Sequence, residues 1–121
     1  MTGATPAFDE LERGHVVLAP DPFGADDDDT RPWVVVNNEH HPFDGQQYVV
    51  MGLTTRTWYD ERIPLADEDY VHRSAPHESA IVPHAVASVN PRLMTDYVCR
   101  VRSSPLDRAV EALIRYLEQG G

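Results

Sequence analysis

An arginine at the mouth of an apolar strand is the first residue whose position suggests chemistry. Arg31 stands in Thr30-Arg31-Pro32-Trp33, where an acidic loop gives way to Val34-Val35-Val36. A guanidinium held at a rigid strand opening can clamp a phosphate through two parallel N–H donors. The same arginine can instead pair with the four consecutive aspartates at 26–29, just upstream. Thr54 and Thr55 close the next apolar run, and Arg56 follows them. Threonine hydroxyls donate to phosphate oxygens, yet threonine is also a routine strand former. Both readings of these residues stay open at this stage.

Six histidines (His15, His40, His41, His72, His77 and His84) are the acid–base candidates. An unperturbed imidazole titrates near pH 6.5, so any of them can move a proton at neutral pH. None has the H-x-x-x-H spacing of a zinc site, and the single Cys99 is too few thiols. No metal or other cofactor is expected. Four adjacent aspartates lack the spaced ligands and defined turn of a calcium loop, so they read as a solvated loop. Trp33, inside an apolar run, reads as core. Trp58-Tyr59 lies in a polar connection where it can stack on bases. Cys99, also in an apolar run, reads as core and not as a nucleophile. The chain has no Walker loop, GxGxxG fingerprint or GxSxG elbow.

The elements that must position these groups are mostly short strands. Apolar, β-branched runs predict strands at 15–19, bounded by Gly14 and Pro20, and at 33–37, with Pro32 at a position needing no ladder donor. Further strands are expected at 47–53 and 63–65, at 79–82 and 85–89 with a break at Pro83, and at 97–101. His40-His41-Pro42-Phe43-Asp44-Gly45 is a polar loop with an Asp-Gly turn signal. One helix is expected after 103, with Ser104 as N-cap, Pro105 at N1, Asp107 at N3 and Gly120 as its stop. Leu106, Ala109, Val110, Leu113, Ile114 and Leu117 form one apolar stripe on that helix. The stripe suits packing across the sheet, or docking against a partner helix. Many short strands and one terminal helix predict a mostly β fold, either a barrel or a small α+β domain. Residues 1–12 read as a flexible N-terminal arm and 13–119 as a single domain.

The net charge is −10, and all ten basic residues are arginine, with no lysine at all. That bias fits a halophile, which uses acidic charge for solubility. Acidity ordinarily disfavours nucleic acid. At about 1 M salt, however, screening confines electrostatics to roughly 3 Å, where a guanidinium fork keeps its value. No apolar run approaches the roughly 18 residues of a membrane helix, and residues 1–6 lack the pattern of a signal peptide. With one cysteine, a reducing cytoplasm is the expected compartment.

The order of these pieces resembles the PemK/MazF family of toxins, the ribonuclease half of toxin–antitoxin pairs. The resemblance rests on Arg13-Gly14-His15-Val16-Val17-Leu18, on Arg31-Pro32-Trp33 through Asn38, on the run from Tyr48 to Thr55, and on the last strand and helix. It covers roughly residues 11–118. It implies an SH3-like barrel of the CcdB/Kid/MazF kind, usually a homodimer, wrapped by an antitoxin protein. It further implies metal-free cleavage of single-stranded RNA by attack of the 2′-hydroxyl on its own phosphate. On that resemblance Arg31 stabilises developing charge and Thr54 orients a phosphate oxygen. Thr55, Arg56, Trp58, His40 and His41 become candidate RNA contacts. Some members place an Arg-x-Asp pair for acid–base work on a later strand, where this chain reads Val82-Pro83-His84. His84 is then the candidate for a proton transfer. A non-catalytic barrel that binds a protein, as gyrase-poisoning relatives do, is the alternative.

Overall fold

The computed structural model describes residues 5–21, 30–56, 61–75 and 78–118. Valine-rich runs give its strands two apolar faces, and both are covered. The strands are β1 (His15–Pro20), β2 (Thr30–Val35), β3 (Tyr48–Thr54), β4 (Ile63–Pro64), β5 (Tyr70–His72), β6 (Ala80–Val89) and β7 (Asp96–Val101). They form one antiparallel sheet in the order β4-β6-β3-β2-β1-β7-β5, curled into a half-barrel. The helix α1 (Ser103–Leu117) closes it.

Successive side chains on a strand face opposite ways, so each valine pair feeds two cores. Val17, Trp33, Val35, Tyr48 and Val50 form one cluster, and Val16, Val34, Met51, Leu53 and Ile81 the other. Leu106 and Ala109 of α1 cover the second cluster. Burying each Leu- or Val-sized side chain contributes roughly 1.5–3 kcal/mol. This double burial explains why these runs read as continuous apolar sequence and not as apolar–polar alternation.

Gly14, just before β1, ties both neighbours of that strand together: its N–H donates to the Val35 carbonyl of β2 at 2.8 Å, and its carbonyl accepts from Val101 N–H of β7 at 2.8 Å. Its φ of +102° and the closeness of the Val101 carbonyl leave no room for a Cβ.

Besides the unexpected strand β5, the structure departs from the sequence reading in four places. Residues 8–11 of the expected arm pack on the first core. Leu11 is buried and donates its N–H to the Tyr48 hydroxyl at 3.0 Å, and Phe8 lies against the same cluster. The expected strands at 79–82 and 85–89 are one element, β6. Its register against β3 jumps from Met51↔Val86 to Gly52↔Val82, so residues 83–85 bulge out at Pro83. Arg102, not Ser104, is the helix N-cap, without a side-chain cap. Asp107 instead pairs with Arg13 at 2.9 Å. Four of the six stripe residues pack on the second core, while Ile114 and Leu117 lie exposed. Gly120 and the aspartates at 26–29 lie outside the described residues.

Candidate functional site

Arg31 is the second residue of β2. Antiparallel pairing sets Ala19 of β1 opposite it, which carries Asp21, just past β1, to its side. Asp21 Oδ2 lies 3.7 Å from Arg31 Nη1. Arg31 Nη2 donates to the Leu53 carbonyl of β3 at 2.8 Å. The guanidinium carbon sits 5.2 Å from the centre of the Trp33 ring, within cation–π range. The side chain is still about a quarter exposed, so it is held and reachable at once. An ion pair this open contributes on the order of 1 kcal/mol or less, weak enough for a phosphate to displace it. The Asp21 ion pair is thus compatible with a phosphate clamp at Arg31.

A cleft of about 580 Å³ opens beside this guanidinium, and Arg31, Thr54, Thr55, Arg56 and His84 all line it. Thr54 ends β3, opposite Ala80 of β6. Its hydroxyl oxygen accepts the Arg56 N–H at 3.1 Å, which folds the turn and leaves the hydroxyl proton available to donate. His84 reaches the same cleft from the β6 bulge, with its side chain exposed. Five of the eight residues singled out from sequence therefore meet at one place. Trp58 lies outside the described residues. His40 and His41 follow the opposite end of β2, in a turn where His41 Nδ1 accepts from Phe43 N–H at 3.0 Å. The structure does not bring these two to Arg31.

Asp21 and Ser79 also line the cleft and were not singled out from the sequence. The signal for both is register. The residue after β1 falls beside the start of β2, and the residue before β6 falls beside the end of β3. Trp33 is wholly buried, as read from sequence, and its indole nitrogen has no acceptor among the described residues. Among those residues no three His, Cys, Asp or Glu side chains are grouped to hold a metal ion.

Two titratable groups sit well apart from the cleft in character. Burial pushes the Cys99 thiol up to about 12, which removes it as a nucleophile near neutral pH. His15 is lowered to about 4, first by burial and then by the nearby Arg100 charge. Its Nδ1 accepts the Glu12 N–H at 2.9 Å, which fits a neutral ring. His15 therefore supplies no imidazolium at neutral pH.

A family model for the PemK-like, MazF-like toxin of type II toxin–antitoxin systems matches residues 12–117. The chain belongs to that family. Solved structures share its fold. A MazF from Deinococcus radiodurans superposes with a TM-score of 0.68 at 14% identity, covering 88% of this chain and 96% of that one. A mycobacterial endoribonuclease in complex with its cognate antitoxin gives 0.64 at 18% identity, covering 92% and 96%. Another endoribonuclease from mycobacterial species gives 0.63 at 20% identity, covering 88% and 90%. Comparison with curated proteins finds no match. As a PemK/MazF-like toxin, the chain has the half-barrel and terminal helix expected of it. Among the described residues, no helix is long and apolar enough to cross a membrane.

Proposed function

We propose that this toxin is an endoribonuclease that cuts single-stranded RNA in the Arg31 cleft and is neutralised by a cognate antitoxin. The observation that carries the reading is the convergence of Arg31, Thr54 and His84 on one cleft from three separate strands. The family membership supports it, as do the mycobacterial endoribonuclease and its antitoxin complex among the structural relatives.

The chemistry follows from those groups. The RNA 2′-oxygen attacks the adjacent phosphorus, its proton passes to a base, and the P–O5′ bond breaks as the leaving oxygen takes a proton. The products are a 2′,3′-cyclic phosphate and a 5′-hydroxyl. Negative charge grows on the phosphoryl oxygens in the transition state, and a fixed cation there lowers the barrier. Arg31 is that cation, held by the Leu53 carbonyl and the Trp33 face. The Thr54 hydroxyl donates to a phosphoryl oxygen. His84 makes one of the two proton transfers. Thr55 and Arg56, at the exposed rim, contact the strand beyond the scissile phosphate. The protein acts as a homodimer without a metal ion, in the cytoplasm of a salt-adapted cell.

Incubation of the purified protein with defined single-stranded RNAs in molar salt and EDTA tests this. Discrete cleavage that disappears in Arg31→Ala is expected. Intact RNA across varied sequences and salts, together with a stable protein partner in pull-down, would replace the enzyme with the non-catalytic barrel.

A further inference from the structure

Strand β3 reads Val49-Val50-Met51-Gly52-Leu53, and glycine is out of place there. A glycine inside a strand weakens it and commonly marks a close approach by another group. Gly52 has no positive φ that would require glycine, in contrast to Gly14 and Gly45. What occupies the missing side chain's place is Arg31. A Cβ built on Gly52 would lie 2.8 Å from Arg31 Nη2 and 2.9 Å from its guanidinium carbon. Real Cβ contacts essentially never come that near.

We infer that Gly52 is a positioning residue for the active-site arginine, its bare backbone forming the slot in which the Arg31 guanidinium lies. The inference rests on the reading of Arg31 as the phosphate-binding group. Three further contacts fit the slot. The Trp33 ring, on the residue paired with Gly52, forms one wall. The Leu53 carbonyl, next along β3, takes an Nη2 proton at 2.8 Å. Asp21, just past β1, lies 3.7 Å from Nη1. Together they fix the plane of the fork, which an arginine free in solvent does not have.

Gly52 also lies where the two halves of the site join. The register of β6 jumps between the partners of Met51 and Gly52, and residues 83–85 bulge opposite that step. The bulge presents His84 to the cleft. One position thus borders both the seated cation and the segment carrying the proton-transfer histidine. Because the obstructing atoms belong to the far end of a flexible side chain, Gly52→Ala should spare the sheet and unseat Arg31. Displacing a reacting group by about 1 Å can cost on the order of 100-fold in rate.

The test is a double-mutant cycle on Gly52 and Arg31. Binding of a 2′-O-methyl RNA, which cannot be cut, is measured for wild type, Gly52→Ala, Arg31→Ala and the double variant. Gly52→Ala is expected to weaken binding roughly tenfold or more in the wild-type background and by less than about twofold in the Arg31→Ala background. Equal losses in both backgrounds would overturn the inference. The Nε–Hε resonance of Arg31, assigned by its absence in Arg31→Ala, gives an answer independent of RNA. Lying over the Trp33 face, it should be shifted by the ring current in wild type and return to the ordinary arginine position in Gly52→Ala. An unmoved resonance would refute the slot. If Gly52→Ala loses its cooperative thermal melt, removing the collision with Arg31→Ala should restore it, and no restoration would count against the proposal. Wild type that binds no RNA would defeat the ribonuclease reading, while the resonance would still decide the slot.

Discussion

The His15 ring makes a stability prediction with a definite sign. It is buried beside Tyr97, whose ring stands edge-on at 5.7 Å, and it takes the Glu12 N–H on Nδ1. Burial and the Arg100 charge lower it from 6.5 to about 4, against the weaker opposite pull of Glu12. Between those pH values the unfolded chain binds a proton there that the folded chain refuses. Stability from the neutral ring is therefore fully present above pH 6.5, falls as pH drops through the window, and is gone below about 4. At 1.36 kcal/mol per pKa unit the loss is about 3 kcal/mol. For a domain of this size that corresponds to a fall in melting temperature of roughly 10 °C. Carboxylates also titrate in acid, so the comparison that isolates the ring is wild type against His15→Asn. The variant starts lower, but its melting temperature should fall less steeply between pH 7 and 4.5. Parallel curves for the two proteins would refute the assignment of a neutral, buried His15. The same geometry predicts that His15→Asn leaves the pH profile of RNA cleavage near neutrality unchanged.

Three other perturbations follow from the packing. Tyr48→Phe strands the buried Leu11 N–H, and should cost about 1–3 kcal/mol in denaturant unfolding while freeing residues 8–11 to proteolysis. Gly14→Ala forces a Cβ toward the Val101 carbonyl at a positive φ, and should destabilise by at least 1–3 kcal/mol in the same assay. Cys99, buried and pushed up to about 12, should resist a thiol reagent at pH 8 in native protein and react at once in denaturant.

Much of this architecture can be read from the chain, because its signals are local. The valine run of β1 is bounded by Gly14 and Pro20 and that of β2 opens at Pro32, and burial on both faces made the runs of β1, β2 and β3 continuous. The stripe of α1 is periodic, although its cap is not where Ser104 and Pro105 suggest, since Arg102 already has the extended backbone of an N-cap. Arg31 was visible as the cation where the acidic run gives way to the apolar one, although residue type alone left an ion pair and a phosphate clamp both open. What the chain does not display is register. Asp21 reaches Arg31, and Ser79 joins Thr54, only through cross-strand pairing. The residue 83–85 bulge reads as a break at Pro83, when in the fold the strand continues past it and presents His84 outward. Strand β5 is three residues long and rests on pairing with β7, not on its own pattern. His40 and His41 look like site residues by type, yet sit beyond the wrong end of β2. The slot at Gly52 exists only once β2 lies beside β3.

If the Arg31 cleft cuts RNA as proposed, the nucleophile is the RNA's own 2′-hydroxyl. The most direct measurement takes an RNA that wild-type protein cleaves and replaces the ribose at the cut position with 2′-deoxyribose, in EDTA and molar salt. The all-ribose strand should give a 2′,3′-cyclic phosphate product, and the deoxy position should not be cut. Cleavage that persists at the deoxy position, or that proceeds unchanged in Arg31→Ala, would contradict that proposal.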